Sequence, residues 1–329
     1  MSKLVTIFGG SGFAGRYIAR RMAKQGWRVR VAVRRTDEAI FVKPYGTVGQ
    51  VEPVLANIRD DASVAAAMVG ADAVVNCVGI LGEVGPNKFD PVQHEGAARV
   101  ARLAAAAGIP ALVHLSAIGA DVDSDSEYLR TKALGEAAVL AHFPCAIILR
   151  PSIIFGDEDQ FFNRFASMTR ISPVLPITGA DTKFQPVYVD DVAAAAVQGV
   201  LGQAEGGIYE LGGPKVASFR SLLQTMLGVI QRRRLILNLP VFIARLMAGG
   251  LDLAQTMSLG MFTNSILTRQ QVRALAHDNV VASGARGLAD LGIQATPMDN
   301  VLPEYLWPFR PSGQFASITA SAKNLHTKG

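Results

Sequence analysis

The chain has 329 residues, of which 50% are hydrophobic and 18% are charged. This apolar content excludes intrinsic disorder for the bulk of the chain. Two cysteines and five histidines without ligand spacing exclude a disulfide scaffold and a cysteine-based metal site, so no metal is expected. The formal net charge of +5 does not by itself distinguish nucleic acid, a membrane or an acidic protein as partner.

Short apolar runs alternate with helical patterns over the first 150 residues. The runs are 4–8, 29–33, 51–55, 73–78, 111–115 and 146–150, and the helical candidates are 12–25, 61–69, 90–107 and 127–142. Apolar runs without polar alternation are typical of strands that are covered on both faces. The pattern predicts an α/β fold with a Rossmann-type, doubly wound parallel sheet.

Beyond Pro151 the pattern changes and predicts a smaller, mostly helical C-terminal domain. The expected elements are a loop-rich stretch at 157–184, a helix at 188–201, a strand at 206–213 and an amphipathic helix at 219–230. The predicted domains are 1–156 with 185–213 returning to it, then 157–184 with 214–310, and a disordered tail at 311–329.

A glycine-rich turn follows the first predicted strand. The residues Gly9-Gly10-Ser11-Gly12-Phe13-Ala14-Gly15 match both G-x-x-G-x-x-G and G-x-G-x-x-G and lead into a helix. Such glycines permit a tight turn and close approach of a pyrophosphate, while the helix N-terminus supplies free N–H groups. Because the second strand is followed by Arg34 and Arg35 rather than an acid, the expected cofactor is NADP(H) in preference to NAD(H).

Ser116, Tyr128 and Lys132 form the candidate catalytic set. Ser116 closes the fifth predicted strand, and Tyr128 and Lys132 are four residues apart, so they share one helix face. A nearby ammonium is expected to lower the pKa of the tyrosine, which then acts as a general acid or base, while the serine donates to a carbonyl oxygen.

With these motifs the chain resembles the extended or atypical branch of the short-chain dehydrogenase/reductase superfamily, over about residues 3–310. VVNCVG (74–79), RPSIIFG (150–156) and PVYVDDVA (186–193) belong to the same pattern. More narrowly, YLRTKALGE (128–136) and RPSIIFGDEDQFFNRFASM (150–168) resemble the nucleotide-binding accessory subunits of respiratory complex I and their bacterial relatives, which are described as NAD-dependent epimerases/dehydratases.

The resemblance implies a role in cofactor binding for several positions. It places Gly9, Gly12, Phe13 and Gly15 at the pyrophosphate, Arg34 and Arg35 at the 2′-phosphate, Asn57 and Ile58 at adenine, Val78, Gly79 and Lys132 at the riboses, and Pro151, Ser152 and Ile153 near nicotinamide. One departure concerns the fourth helix of the family's pattern, where active members carry an asparagine and this chain has Gln93, in the helix predicted at 90–107. In active members that asparagine supports the catalytic residues. Its replacement therefore favours a nucleotide that is bound without catalytic turnover of a substrate.

Three functions follow from the resemblance. The first is an NADP(H)-binding accessory subunit of complex I that contacts the peripheral arm from the inner, cytoplasmic face of the membrane. The second is an active NADPH-dependent short-chain reductase, dehydrogenase or epimerase/dehydratase acting on an unknown carbonyl substrate. The third is an NADP(H)-sensing regulator.

The basic surplus is concentrated in residues 215–277, which hold eight Lys/Arg and one acid, whereas the rest of the chain is net −2. This region is also apolar, so it predicts a peripheral contact with anionic lipid or a partner protein. The alternative is a set of ordinary buried helices with a few surface arginines. Nucleic acid is not expected as a partner, because the arginines lack interleaved aromatic side chains.

Overall fold

The computed structural model describes residues 2–83, 85–240 and 277–315. The strands are β1 (Leu4–Phe8), β2 (Arg28–Val33), β3 (Val51–Leu55), β4 (Ala73–Asn76), β5 (Leu112–Leu115), β6 (Ile147–Pro151), β7 (Ile154–Phe155), β8 (Val174–Ile177), β9 (Lys183–Phe184), β10 (Val187–Tyr188), β11 (Gly207–Leu211), β12 (Ala217–Ser218) and β13 (Leu235–Asn238). The helices are α1 (Phe13–Lys24), α2 (Asp61–Met68), α3 (Glu95–Ala106), α4 (Glu127–His142), α5 (Phe162–Ile171), α6 (Val189–Val200), α7 (Phe219–Val229) and α8 (Met298–Leu306). Shorter helical turns are Asp37–Tyr45, Asp90–His94, Ala289–Leu291, Trp307–Phe309 and Gly313–Phe315.

Seven of these strands form one parallel sheet. Its order is β3-β2-β1-β4-β5-β6-β11, and each neighbouring pair is parallel. Strand order therefore reverses beside β1, which places a crevice at the carboxyl ends of β1 and β4. The predicted Rossmann-type sheet is confirmed, with β11 as the returning strand.

Helices cover both faces of the sheet. Adjacent residues of each strand point to opposite sides, and the central strands place apolar side chains on both of them. Ile7 and Val75 belong to the apolar cluster that includes α1 and α6, whereas Phe8 and Val74 belong to the cluster that includes α2 and α3. Burial on both faces explains why the central strands read as continuous apolar runs.

The stretch predicted to be loop-rich, 157–184, is more regular than expected, and that prediction was wrong. It contains α5, β8 and β9. The buried residues Phe162, Ala166 and Thr169 follow helical spacing over two turns. They join a third apolar cluster that also contains Phe219 and Leu302. The exact division into domains stays a prediction.

Two predicted regions fall partly beyond the described residues. Residues 241–276, most of the basic apolar region, and 316–329, most of the expected tail, lie outside them. The start of that tail, 311–315, contains the helical turn Gly313–Phe315. Among the described residues, the helices are too short or too polar to cross a bilayer.

Candidate nucleotide-binding and active site

The glycine turn between β1 and α1 is built from backbone contacts that leave no room for side chains. Gly9 has φ +74°, a conformation that favours glycine. A Cβ on Gly15 would lie 2.3 Å from the Gly9 carbonyl oxygen. The backbone N–H of Gly12 donates to that same oxygen at 2.9 Å. The turn thus brings the start of α1 against the end of β1.

The N-terminus of α1 is suited to an anion. Its first turn contains no acidic residue, and Gly12 at the N-cap offers no side chain to satisfy the free N–H groups. Phe13 packs edge-on against Tyr17, with ring centroids 6.1 Å apart. The residues present therefore fit the pyrophosphate of a dinucleotide.

The two arginines after β2 have different partners. The Arg34 guanidinium donates to the amide oxygen Oδ1 of Asn87 at 2.7 Å. Arg35 instead pairs with the carboxylate of Glu38 at 2.5 Å, and both of those side chains are largely exposed. Arg34 is therefore better placed than Arg35 to meet a phosphate, since its partner is neutral.

Asn57 and Ile58 follow β3, as predicted for the adenine side. Asn57 is half-buried, and its Oδ1 accepts a hydrogen bond from the backbone N–H of Arg59 at 3.2 Å. Ile58 is buried and packs against α3, where a Cβ on Gly96 would lie 3.1 Å from its Cγ1. The geometry thus favours Asn57 over Ile58 as the polar contact to a base.

The loop after β4 brings three predicted site residues together. A Cβ on Gly9 would lie 3.3 Å from Val78, so the glycine turn touches this loop. A Cβ on Gly79 would lie 3.3 Å from the Lys132 ammonium. Val78, Gly79 and Lys132 therefore line the middle of the crevice, where the riboses are expected.

Ser116 and Lys132 are both buried at the carboxyl end of β5. Lys132 Nζ donates to the Leu115 carbonyl oxygen at 3.0 Å. The Ser116 hydroxyl has no hydrogen-bond partner within the described residues. Because buried polar groups are normally paired, this orphan hydroxyl indicates a position where a ligand atom fits.

Tyr128 is not prepared as a phenolate in this structure. Its ring packs edge-on against Phe89, with centroids 6.0 Å apart, and burial raises its pKa to about 12. Burial lowers the pKa of Lys132 to about 8, an effect partly offset by the Glu136 carboxylate. The expectation that Lys132 would lower the pKa of Tyr128 is therefore wrong here, because burial dominates.

Gln93 lies against α4 near the candidate catalytic set. Its side chain is buried, and Nε2 donates to the Ile80 carbonyl oxygen at 3.0 Å. Its other amide atom, Oε1, has no hydrogen-bond partner in the described part of the chain. Gly135 permits this close packing, since a Cβ there would lie 2.4 Å from the Gln93 carbonyl oxygen.

An ion pair behind Lys132 was not among the predicted site residues. Arg150 donates to both carboxylate oxygens of Glu136, at 2.9 Å and 3.1 Å from Nε. Glu136 is 3% exposed, and it lies one helical turn beyond Lys132 on the same face. Its spacing from Tyr128 and Lys132 is the signal that would have found it.

Asn279 was also missed, although it contacts the predicted nicotinamide segment Pro151–Ile153. Its Oδ1 accepts from the Ser152 hydroxyl at 2.6 Å, and its Nδ2 donates to the Ile118 carbonyl oxygen at 3.2 Å. Asn279 thereby joins the segments that follow β5 and β6. No local sequence pattern predicts a contact between Ser152 and Asn279, which are 127 positions apart.

The family described as NAD dependent epimerase/dehydratase matches residues 5–212. Relatives include the mitochondrial NADH dehydrogenase [ubiquinone] 1 alpha subcomplex subunit 9 of Arabidopsis thaliana, 35% identical over 97% of this chain and 81% of that protein. The mitochondrial NADH-ubiquinone oxidoreductase 40 kDa subunit of Neurospora crassa is 30% identical over 97% of this chain and 82% of that protein. Among solved structures, the NADPH-dependent quinone oxidoreductase of Escherichia coli in complex with NADPH has a TM-score of 0.69 at 18% identity and covers 91% of this chain and 99% of its own. That last likeness concerns the fold alone.

Proposed function

The chain belongs to the NAD dependent epimerase/dehydratase family, and from that membership we propose that it is an NADP(H)-binding accessory subunit of respiratory complex I. The observation that carries the proposal is the kinship with complex I subunits over nearly the whole chain. It extends past the family domain, which ends at residue 212, into the C-terminal part. The resemblance to these subunits named from the sequence is thereby confirmed.

The nucleotide is proposed to serve structure or sensing. The turn at Gly9, Gly12 and Gly15 would hold the pyrophosphate through backbone N–H groups. Lys132 would contact ribose, for which it is already fixed by the Leu115 carbonyl oxygen. Tyr128, with its pKa raised to about 12, stays a neutral phenol at physiological pH. Because a phenol with a raised pKa is a weaker general acid than one matched to neutral pH, these residues favour binding and orientation of the nucleotide over proton transfer.

NADP(H) is proposed over NAD(H) because of the residue that follows β2. An acid there would hydrogen-bond a ribose 2′-hydroxyl, whereas Arg34 offers a cation for a 2′-phosphate. Its present partner, the Asn87 amide oxygen, is neutral and can be exchanged for a charged one.

The test is affinity capture of the tagged full chain from detergent-solubilised membranes of its own cells, with mass spectrometry of the captured proteins and released nucleotide. We expect subunits of the peripheral arm of NADH:ubiquinone oxidoreductase and bound NADP(H). Capture of the chain without any such subunit would contradict the accessory role. Release of NAD(H) alone would contradict the cofactor preference and leave the accessory role standing.

A peripheral position on the inner face of the cytoplasmic membrane is proposed from the basic region. Of its arginine triplet, Arg232 and Arg234 donate to the carbonyl oxygens of Phe309 and Thr169, whereas Arg233 is exposed. Leu235 and Leu237 beside it are also exposed, at 63% and 46%. Arg233 is therefore the member of the triplet best placed to meet an anionic surface.

Vesicle flotation tests this contact. With vesicles that contain phosphatidylglycerol, Arg233→Gln is expected to weaken binding about fivefold, the effect of one lost surface charge. Arg28→Gln, at an exposed position on β2, is the matched control and should leave binding unchanged. Equal binding of both variants and the unaltered chain would contradict a role for Arg233 in membrane contact.

An active short-chain reductase is the second candidate, favoured by the orphan hydroxyl of Ser116. Gly9, Gly12, Gly15 and Lys132 would hold a reduced nicotinamide cofactor, whose chemistry would be hydride donation to a carbonyl carbon. Ser116 would then hold the carbonyl oxygen and Tyr128 would give it a proton. Oxidation of NADPH over a panel of ketones and aldehydes, abolished by Tyr128→Phe, would support this function. Absence of turnover by the unaltered chain would contradict it.

A further inference from the structure

Two arginines from neighbouring strands contact the same loop at the adenosine end of the crevice. Arg34 follows β2 and donates to Asn87 Oδ1 at 2.7 Å. Arg59 follows β3 and donates to the Pro86 carbonyl oxygen at 2.8 Å. Pro86 and Asn87 are consecutive, so their Cα atoms are about 3.8 Å apart. Both guanidinium groups are therefore held by the same short stretch of the loop after β4.

Both strands end at the same edge of the sheet. β2 and β3 are parallel neighbours, and Val33 at the end of β2 pairs with Leu55 at the end of β3. Arg59 lies two residues beyond Asn57, whose Oδ1 accepts the Arg59 backbone N–H. Arg59 is thus connected to the residue that is best placed to contact adenine.

The partners of Arg34 and Arg59 are neutral oxygens, unlike the carboxylates that pair with Arg35, Arg99 and Arg102. Arg35 pairs with Glu38, and Arg99 and Arg102 both pair with Asp61. A carboxylate in contact with a guanidinium offsets its charge, whereas an amide or carbonyl oxygen does not. The charges of Arg34 and Arg59 therefore remain available to an anion at this end of the crevice.

We propose that Arg59 is a second cationic ligand for the 2′-phosphate of NADP(H), acting together with Arg34. This inference rests on the proposed function, because NADP(H) is its ligand. A phosphate monoester carries close to two negative charges at neutral pH and three acceptor oxygens. Two guanidinium groups match that charge, and each exchanges a neutral oxygen for a charged one.

The test uses calorimetric titration of the full chain with two probes, adenosine 2′,5′-bisphosphate and adenosine 5′-monophosphate. These differ by the 2′-phosphate alone. Arg59→Gln keeps an amide donor for the Pro86 carbonyl oxygen and removes the charge. We expect it to weaken binding of the bisphosphate about tenfold, as for a lost charge-assisted hydrogen bond, while binding of the monophosphate stays the same.

Two further variants sharpen the titration. Arg59→Lys keeps the charge and should recover part of the affinity for the bisphosphate, whereas Arg28→Gln removes an exposed arginine elsewhere on β2 and should change neither probe. Thermal melting of each variant shows that it is folded.

The outcomes separate this inference from the proposed function. If the unaltered chain prefers the bisphosphate and the Arg59→Gln variant keeps that preference, the role of Arg59 is overturned, while the proposed preference for NADP(H) stands. Equal weakening of both probes by Arg59→Gln would also overturn it, because the arginine would then only support the loop. An unaltered chain that does not distinguish the probes would refute both the inference and the proposed preference for NADP(H).

Discussion

The phosphate end and the nicotinamide end of the candidate site are built differently. At the phosphate end, the glycine turn and Arg34 rely on backbone geometry and exposed or half-buried groups. At the nicotinamide end, Ser116, Lys132 and Gln93 are buried, and two of these three side chains have a polar atom without a partner among the described residues. The first end resembles a preformed turn on the surface, and the second is part of the interior.

The difference means that the two ends respond to different perturbations. Backbone N–H groups and an exposed guanidinium bind a phosphate with little effect on the folded core. Buried charges and orphan polar groups instead link the site to the stability of the whole domain, because each would be better solvated in the unfolded chain. Substitutions at the nicotinamide end should therefore act first on stability, and those at the phosphate end on binding.

Loss of Arg150 is expected to give the largest effect. Arg150→Met leaves the carboxylate of Glu136, which is 3% exposed, buried without its cation. Breaking a buried pair in this way costs about 3–5 kcal/mol of unfolding free energy. Denaturant titration at neutral pH measures it. Arg35→Met, which removes the exposed pair with Glu38, is the control and should leave the midpoint unchanged. Similar denaturation midpoints for both variants would contradict the view that the nicotinamide end is more strongly linked to stability than the phosphate end.

Lys132 should make stability rise with alkaline pH. Its pKa is about 8 in the folded chain and 10.5 as a free side chain, so between these values the unfolded chain binds more protons. The penalty is fully present below pH 8 and disappears toward pH 10.5, and relief from pH 7 to pH 10 amounts to about 2–3 kcal/mol.

The measurement is the unfolding free energy of the unaltered chain minus that of Lys132→Met at each pH, which cancels other titrating groups. A difference that stays flat from pH 7 to pH 10 would show that the Lys132 ammonium is solvated in the folded chain.

The phosphate end could be predicted from the sequence because its parts are local. The turn from Gly9 to Gly15 and the arginine after β2 lie within a few residues of the strand ends that position them. Helix α4 also has the predicted bounds, Glu127–His142.

The nicotinamide end could be predicted only in part. Ser116, Tyr128 and Lys132 were identified by spacing, but their environment depends on contacts from distant segments. Asn279, which follows residues 241–276 in the sequence, hydrogen-bonds to Ser152, and Phe89 in the loop after β4 packs on Tyr128. Burial by such segments sets the pKa of Tyr128, which spacing alone did not predict.

Gly15→Ala should abolish nucleotide binding at a moderate cost in stability. The new methyl group would meet the Gly9 carbonyl oxygen at 2.3 Å, and forced backbone shifts of this kind cost about 1–3 kcal/mol. Gly228→Ala in α7 is the matched control, because a Cβ there has open space and should stabilise the helix by about 0.5–1 kcal/mol. Nucleotide content after purification and thermal melting are measured together. Retention of nucleotide by Gly15→Ala would show that the turn adapts without its glycine.

The smallest effect concerns His114 on β5, beneath the nicotinamide end. Burial lowers the pKa of its ring to about 3, and Nδ1 lies 3.2 Å from Asn76 Nδ2. Below pH 6.5 the His114 imidazole binds a proton in the unfolded chain but not in the folded chain. The free energy of unfolding therefore falls as the pH drops through that value. The loss between pH 6.5 and pH 5.5 should be about 1 kcal/mol.

His114→Gln should remove this acid sensitivity, whereas His142→Gln, at an exposed position, should retain it. Acid sensitivity that survives in both variants would have to come from groups elsewhere in the chain. Burial keeps the His114 ring neutral, so the same measurement reports whether the interior of the domain extends beneath the nicotinamide end. A buried environment is the feature that distinguishes the nicotinamide end from the phosphate end.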